Sequence, residues 1–120
     1  MSLTDDPIVE TLSHYLDLNV FRTGLITSNL ANIDTPGYRV RDVNFQQELE
    51  RADNGFALAG FTPPAMRVQG LPARPDGNNV SLERETLLLA VSQMRFNAGV
   101  QLLRDEFKTL NSAIHEGGTS

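Results

Sequence analysis

The 120-residue sequence has no cysteine, no tryptophan and no run of basic residues. Without cysteine there are no disulfides and no thiolate metal sites, and either a reducing or an oxidising compartment is compatible. Aromatic residues make up only 7% of a chain that is 40% hydrophobic, which suits long helices better than a dense globular core. The net charge is −5 and no basic stripe exists, which argues against nucleic acid as a partner. No apolar run approaches the roughly 18–20 residues that span a bilayer. The first residues, Met-Ser-Leu-Thr-Asp-Asp-Pro, are acidic and lack an apolar h-region, so no secretory signal peptide is expected there. Export from the cytoplasm would need another route.

What is present is organised around Ser28–Phe45, S-N-L-A-N-I-D-T-P-G-Y-R-V-R-D-V-N-F. A helical pattern runs into this stretch and an extended pattern runs out. Pro36 has the φ needed at the second position of a β-turn and pushes Thr35 out of the helical region. Gly37 supplies the positive φ of a type II turn. Asn29 and Asn32 precede the turn with amides able to bond nearby backbone as a helix runs out. Tyr38–Val43 has the composition of an extended segment.

Upstream, Asp6-Pro7 reads as a helix start, with Asp6 capping and proline at the first position. Val9, Leu12, Leu16, Asn19, Thr23, Ile26, Leu30 and Ile33 follow at alternating steps of three and four, a coiled-coil seam with a polar middle. This predicts a helix over 7–32, about 37 Å long from Pro7 to Ala31. Downstream, Ser81 reads as the cap of a second helix over 81–116, with Glu83 and Glu85 in its first turn. Leu82, Thr86, Leu89, Gln93, Phe96, Val100, Leu103, Phe107, Leu110 and Ile114 form its seam, and Gly117-Gly118 its end. A second apolar row, Leu87, Val91, Met94 and Ala98, lies nearly opposite the first. A two-helix hairpin covers one side only, so the second row predicts assembly with further protein.

The expected fold is therefore mostly α, one domain over 1–120: two long terminal helices paired as an antiparallel coiled coil, with a turn, extended segment and loop over 33–80. Breakers crowd 49–79 (Asn54-Gly55, Pro63-Pro64, Gly70, Pro72, Pro75, Asp76-Gly77), with short apolar pieces between them such as Phe56-Ala57-Leu58. Loop with at most one weak hairpin is expected there, and about 30 such residues is long for a passive connector.

Catalytic chemistry finds little support. His14 and His115 have no second ligand at zinc spacing, so solvated histidines are expected. Glu48 and Glu50, and Asp105 and Glu106, are neighbours that do not face each other on a helix. No phosphate-cradling glycine pattern or nucleophile elbow occurs. Arg39 and Arg41 beside Asp42 read as a solvated face or as inter-subunit partners of carboxylates, and Arg84 and Arg95 carry the same two readings.

Ser28-Asn29-Leu30-Ala31-Asn32 and Thr35-Pro36-Gly37-Tyr38 together resemble the N-terminal signature of the bacterial flagellar rod and hook proteins of the axial filament. Arg39–Phe45, Asp76–Glu85 (D-G-N-N-V-S-L-E-R-E) and Gln93-Met94-Arg95-Phe96 resemble stretches of its short proximal-rod members. The middle, Leu49 to Pro75, matches nothing specific. The resemblance implies a structural subunit of the proximal rod of the flagellar basal body, part of a shaft that transmits torque, with no active site and no cofactor or metal. It implies terminal helices that pair as the subunit joins the shaft. It implies other rod subunits and the basal-body base (FliE-like and FlgC-like proteins) as partners. It also implies a periplasmic location reached through the flagellar type III export apparatus, without a cleaved signal peptide. Phe45–Leu49 is similar to the short export-gate element of exported rod and hook proteins, though Phe21–Leu25 also fits. The assembly seams would be Val9, Leu12, Leu16, Ile26 and Leu30, and Leu89, Phe96, Val100, Leu103, Phe107, Leu110 and Ile114. Rival readings are another short proximal-rod protein (FlgC-like), a soluble helical-hairpin adaptor or chaperone, and a small hydrolase.

Overall fold

The computed structural model describes residues 6–55 and 63–118, with side chains as far as His115. Five elements follow in order: α1 (Pro7–Ala31), β1 (Arg41–Asp42), α2 (Phe45–Asp53), β2 (Met66–Arg67) and α3 (Leu82–Gly118). The molecule measures 71 × 26 × 20 Å, an elongated shape set by its two long helices.

Helix α1 begins as the sequence predicts. Asp6 accepts from the Ile8 and Val9 amides at 2.7 and 3.2 Å, and proline follows at the first position. It ends at Asn32, whose amide bonds the Ser28 and Asn29 carbonyls. Thr35–Tyr38 then closes the expected turn: the Tyr38 amide donates to the Thr35 carbonyl at 3.2 Å, and Gly37 has φ 75°. At the far end, Ser81 Oγ accepts from the Arg84 amide at 3.2 Å to open α3. At 37 residues, α3 is about 55 Å long, and Gly117-Gly118 lie within it rather than beyond it.

The segment 33–80 holds more structure than the expected turn, extended segment and loop. Asn44 accepts from the Gln47 amide at 3.2 Å and starts α2. Phe45, Glu48, Leu49 and Ala52 then share one helical face, the i, i+3, i+4, i+7 set, which turns inward with Ala52 and the Glu48 carboxylate buried. One turn of capping and four inward residues suffice for a nine-residue helix once α1 offers a surface, although its composition is mostly polar. His14 Nδ1 lies 3.3 Å from the accepting Asp53 Oδ1 of this helix, and the ring is mostly buried, not solvated as expected. Strands β1 and β2 pair antiparallel, Arg41 opposite Arg67 and Asp42 opposite Met66, and the Val68 amide extends the ladder to the Val40 carbonyl. The expected piece Phe56-Ala57-Leu58 lies outside the described residues.

Helices α1 and α3 run antiparallel: Asn29 meets Glu85, and Leu16 meets Gly99. On α1 the expected seam faces inward. Val9, Asn19 and Ile26 are buried, and Leu12, Leu16 and Leu30 are half-buried. Leu18 is also buried, on the side that meets α2 and β1. On α3 the seam is turned by one residue from the expected one. Its buried positions are Glu85, Ser92 and Gly99, seven apart, with Leu89, Phe96 and Leu103 half-buried beside them. Thr86 and Gln93 are exposed, and Val100 is half-buried.

The reason for that turn is distance between the helices. A Cβ on Gly99 would stand 2.9 Å from Leu16 Cδ2 and 3.1 Å from the Tyr15 ring, so the backbones approach where α3 is smallest. Phe107 and Leu110 are half-buried, and Ile114 is exposed.

Candidate functional site at the helix corner

The rod-like motif of 28–38 and the D-G-N-N-V stretch lie far apart in sequence, yet they form one interlocked corner. Asn78 Nδ2 donates to the carbonyls of Asn32, Ile33 and Thr35 at 2.9, 3.1 and 2.8 Å. These carbonyls follow the last turn of α1, and the Asn32 and Thr35 carbonyls also accept the Thr35 and Tyr38 amides, so a side chain from the other half of the molecule clasps the backbone where the helix has ended. The Arg74 guanidinium also reaches the Ile33 carbonyl, and it holds the Val80 carbonyl at 3.0 Å.

The two turns meet back to back. The Gly37 amide donates to the Asp76 carbonyl at 2.9 Å, and a Cβ on Gly77 would stand 3.4 Å from Gly37 Cα. Gly77 also has φ 87°, a conformation costly for other residues. Next along the chain, the Asn79 amide donates to the Tyr38 carbonyl at 3.2 Å, and Asn79 Oδ1 accepts from the Val40 amide at 2.7 Å. Asn79 thus pairs with the backbone of 38–40 as a strand neighbour would.

Asn29 is the centre of the inner side. Its Nδ2 donates to the Arg41 carbonyl at 2.9 Å and to Glu85 Oε2 at 3.2 Å. Its Oδ1 accepts from the Tyr38 hydroxyl at 2.9 Å and the Arg41 amide at 3.2 Å. Both Asn29 and Glu85 are buried, so these bonds replace water on a carboxylate and an amide that would be costly alone. Arg84 completes the Glu85 carboxylate at 2.8 Å. Arg22 forks onto Asp42 with bonds of 3.0 and 2.9 Å, tying α1 to β1 in the bidentate geometry that makes arginine–carboxylate pairs strong.

Of the motif residues, Asn29, Asn32, Thr35, Gly37 and Tyr38 bond within this corner, and Leu30 is half-buried on α1. Ser28, Ala31 and Pro36 are exposed. The contribution of Asn78, Asn79 and Glu85 was visible in the sequence only as part of the motif.

Phe45 and Leu49, the suggested export-gate pair, sit at the start of α2. The Phe45 ring meets the Tyr15 ring edge to face, 5.4 Å between centroids, and the Arg95 guanidinium lies 5.9 Å from the ring. Both residues are half-buried and line a shallow hollow with Tyr15, Arg22, Gln46 and Arg95.

The corner is a fastening, with every inner polar group directed at another part of the chain. Among the described residues no cluster of three or more metal-ligating side chains occurs, and no helix is long and apolar enough to cross a membrane. The expected second row on α3 is largely bare: Leu87 is 65% and Met94 71% exposed and Ala98 is exposed, while Val91 is half-buried, and Leu102 continues the row at 56%.

Residues 22–39, the end of α1 with its turn, match the family described as "Flagella basal body rod protein". The flagellar basal body rod protein FlgB of Cereibacter sphaeroides is 37% identical over 114 residues, covering 82% of this chain and 87% of the relative. FlgB of Borrelia hermsii is 30% identical, covering 88% and 94%, and FlgB of Escherichia coli is 29% identical, covering 85% and 88%. The chain belongs to the FlgB family of flagellar basal body rod proteins.

Proposed function

We propose that the chain is a structural subunit of the proximal rod of the flagellar basal body, working by assembly into the axial shaft and not by catalysis. The observation that carries the reading is the bare row Leu87, Met94, Ala98 and Leu102, on the side of α3 turned away from α1, in a member of a rod-protein family. Large apolar side chains in one line are costly in water and favour burial against another subunit. A contact of unlike surfaces that does not close into a ring extends as a helical array, and packed helices in such an array resist the shear of torque.

In this reading the fastened corner keeps the subunit's shape while the outer row of α3 and the free surfaces of α1 meet neighbours. Those neighbours are other rod subunits and the proteins of the basal-body base, FliE-like and FlgC-like. The subunit reaches the periplasmic rod through the type III export apparatus without a cleaved signal peptide. Export of an unfolded chain would expose Phe45 and Leu49, which the folded subunit half-buries against Tyr15 and Arg95. A soluble helical-hairpin adaptor would leave the outer row without a use.

Deleting the gene and inspecting motility and isolated basal bodies tests the proposal. Loss of the rod and of swimming, restored by the unmodified chain, is expected. Intact rods in the deletion strain would overturn it.

A further inference from the structure

The outer face of the two-stranded ladder carries three arginines and no carboxylate. Arg39 and Arg41 alternate with Val40, which is fully buried, so both point away from the core. Arg67 stands directly opposite Arg41 in the register, about 5 Å away. Like charges in that position repel and weaken a ladder only two residues long. Asp42, next in the strand, is no counterion for them, because Arg22 takes both its oxygens. Among the described residues none of the three arginines forms an ion pair. In sequence, 56–62 (F-A-L-A-G-F-T) contains no acidic residue. A hollow of about 310 Å³ lies between Arg39 and Arg67, with the amide side chains of Gln69 and Asn79 and Val68 on its walls. Guanidiniums beside amide donors around an open hollow suit carboxylates.

The same chain carries 15 acidic residues against ten Lys and Arg, and one exposed acidic stripe lacks cations. Glu10 and Asp17 are exposed on α1, two helical turns or about 10 Å apart. The arginine of α1, Arg22, is already engaged by Asp42, and the His14 ring lies against Asp53. Arg22, five residues on from Asp17, reaches β1 at Asp42, yet among the described residues neither Glu10 nor Asp17 forms an ion pair with Arg39, Arg41 or Arg67. The two faces are therefore not paired with each other within one copy.

We propose that the Arg39–Arg41–Arg67 face is a contact surface for a second copy of this chain, taking the Glu10–Asp17 stripe of that copy's α1. The contact joins unlike surfaces, so each copy keeps a free stripe and a free ladder, and the array can extend. It rests on the rod reading for the expectation that copies meet, and adds where they do. A net charge of −5 repels copies at long range, so the contact is confined to the one orientation that opposes these faces.

Sedimentation of the purified full chain at high concentration tests it, with the Arg39→Glu/Arg67→Glu and Glu10→Lys/Asp17→Lys variants alongside. The unmodified chain should associate, at least tenfold more weakly when salt rises from about 50 to about 500 mM. Each double variant should lose the association, with unchanged circular dichroism, and an equimolar mixture of the two should regain it. Association that survives either double variant, or no salt-sensitive association of the unmodified chain, overturns the proposal. A rod missing from the deletion strain would still uphold the rod reading in that event.

Discussion

The corner and the outer face of α3 are built on different principles. At the corner, side-chain amides from one half of the chain satisfy backbone of the other half, and Asn29, Glu85, Asn78 and Asn79 are all buried. Along the outer side of α3 the large side chains, Leu87, Met94 and Leu102, are bare. The corner is complete within one molecule, whereas the outer face, in the proposed reading, is completed by another. A subunit made this way carries its shape into the shaft and leaves its assembly energy unspent until a neighbour arrives.

The sharpest way to break this contrast is at Asn29. Asn29→Leu removes four hydrogen bonds, one of them to the buried Glu85 carboxylate, which keeps only Arg84, so a loss of about 3–5 kcal/mol is expected in urea unfolding of the monomer. Met94→Asp on the bare face should instead change monomer stability by less than about 0.5 kcal/mol while abolishing incorporation into basal bodies. If Met94→Asp incorporated normally, the outer face would have no assembly role. Leu103→Asp, inside the helix pair, should lower both.

Smaller effects probe the helix contact. Gly99→Leu must displace Leu16 and Tyr15, at a cost of about 1–3 kcal/mol in the same unfolding measurement. Asn19 is buried on α1 with its Nδ2 unpaired, so Asn19→Leu should raise stability by about 1 kcal/mol. A loss on that substitution would reveal a partner for the amide.

The smallest effect lies at the start of α1. Partial desolvation, then repulsion from Asp6 and a hydrogen bond shared with it, raise the Glu106 carboxyl above its ordinary value. The folded chain holds that proton more tightly than the unfolded one. The contribution is therefore present below the ordinary carboxyl range and is lost as pH rises through the raised value. Glu106→Gln should flatten this part of the pH dependence, read as urea midpoints between about pH 4 and about pH 7.

Local rules made the start of each long helix, the end of α1 and the turn legible in the sequence, but not the end of α3, which runs through Gly117-Gly118. Asp6-Pro7, the Thr35-Pro36-Gly37 turn and the α1 seam each depend on neighbours three or four residues away. Helix α2 escaped because its polar, breaker-flanked residues become helical only with α1 beneath them. The α3 seam was half legible. Leu89, Phe96 and Leu103 do flank the contact, but Ser92 and Gly99 lie at its centre because small residues admit a close helix, and hydrophobic periodicity does not register small residues. The fastening itself was visible as two motifs and not as one site. Hydrogen bonds between Asn78 and the end of α1 span more than forty residues and leave no periodic trace. The bare outer row was legible, because an apolar row opposite a seam is itself a periodic signal.

Hydrogen exchange of the full-length monomer tests the contrast most directly. The Gly37, Val40 and Asn79 amides, each held by the opposite half of the corner, should exchange only through global unfolding. Amides of α3 beyond Lys108 should exchange orders of magnitude faster by local opening. Equal rates at the two ends would contradict the account, because the corner would then not be fastened before assembly.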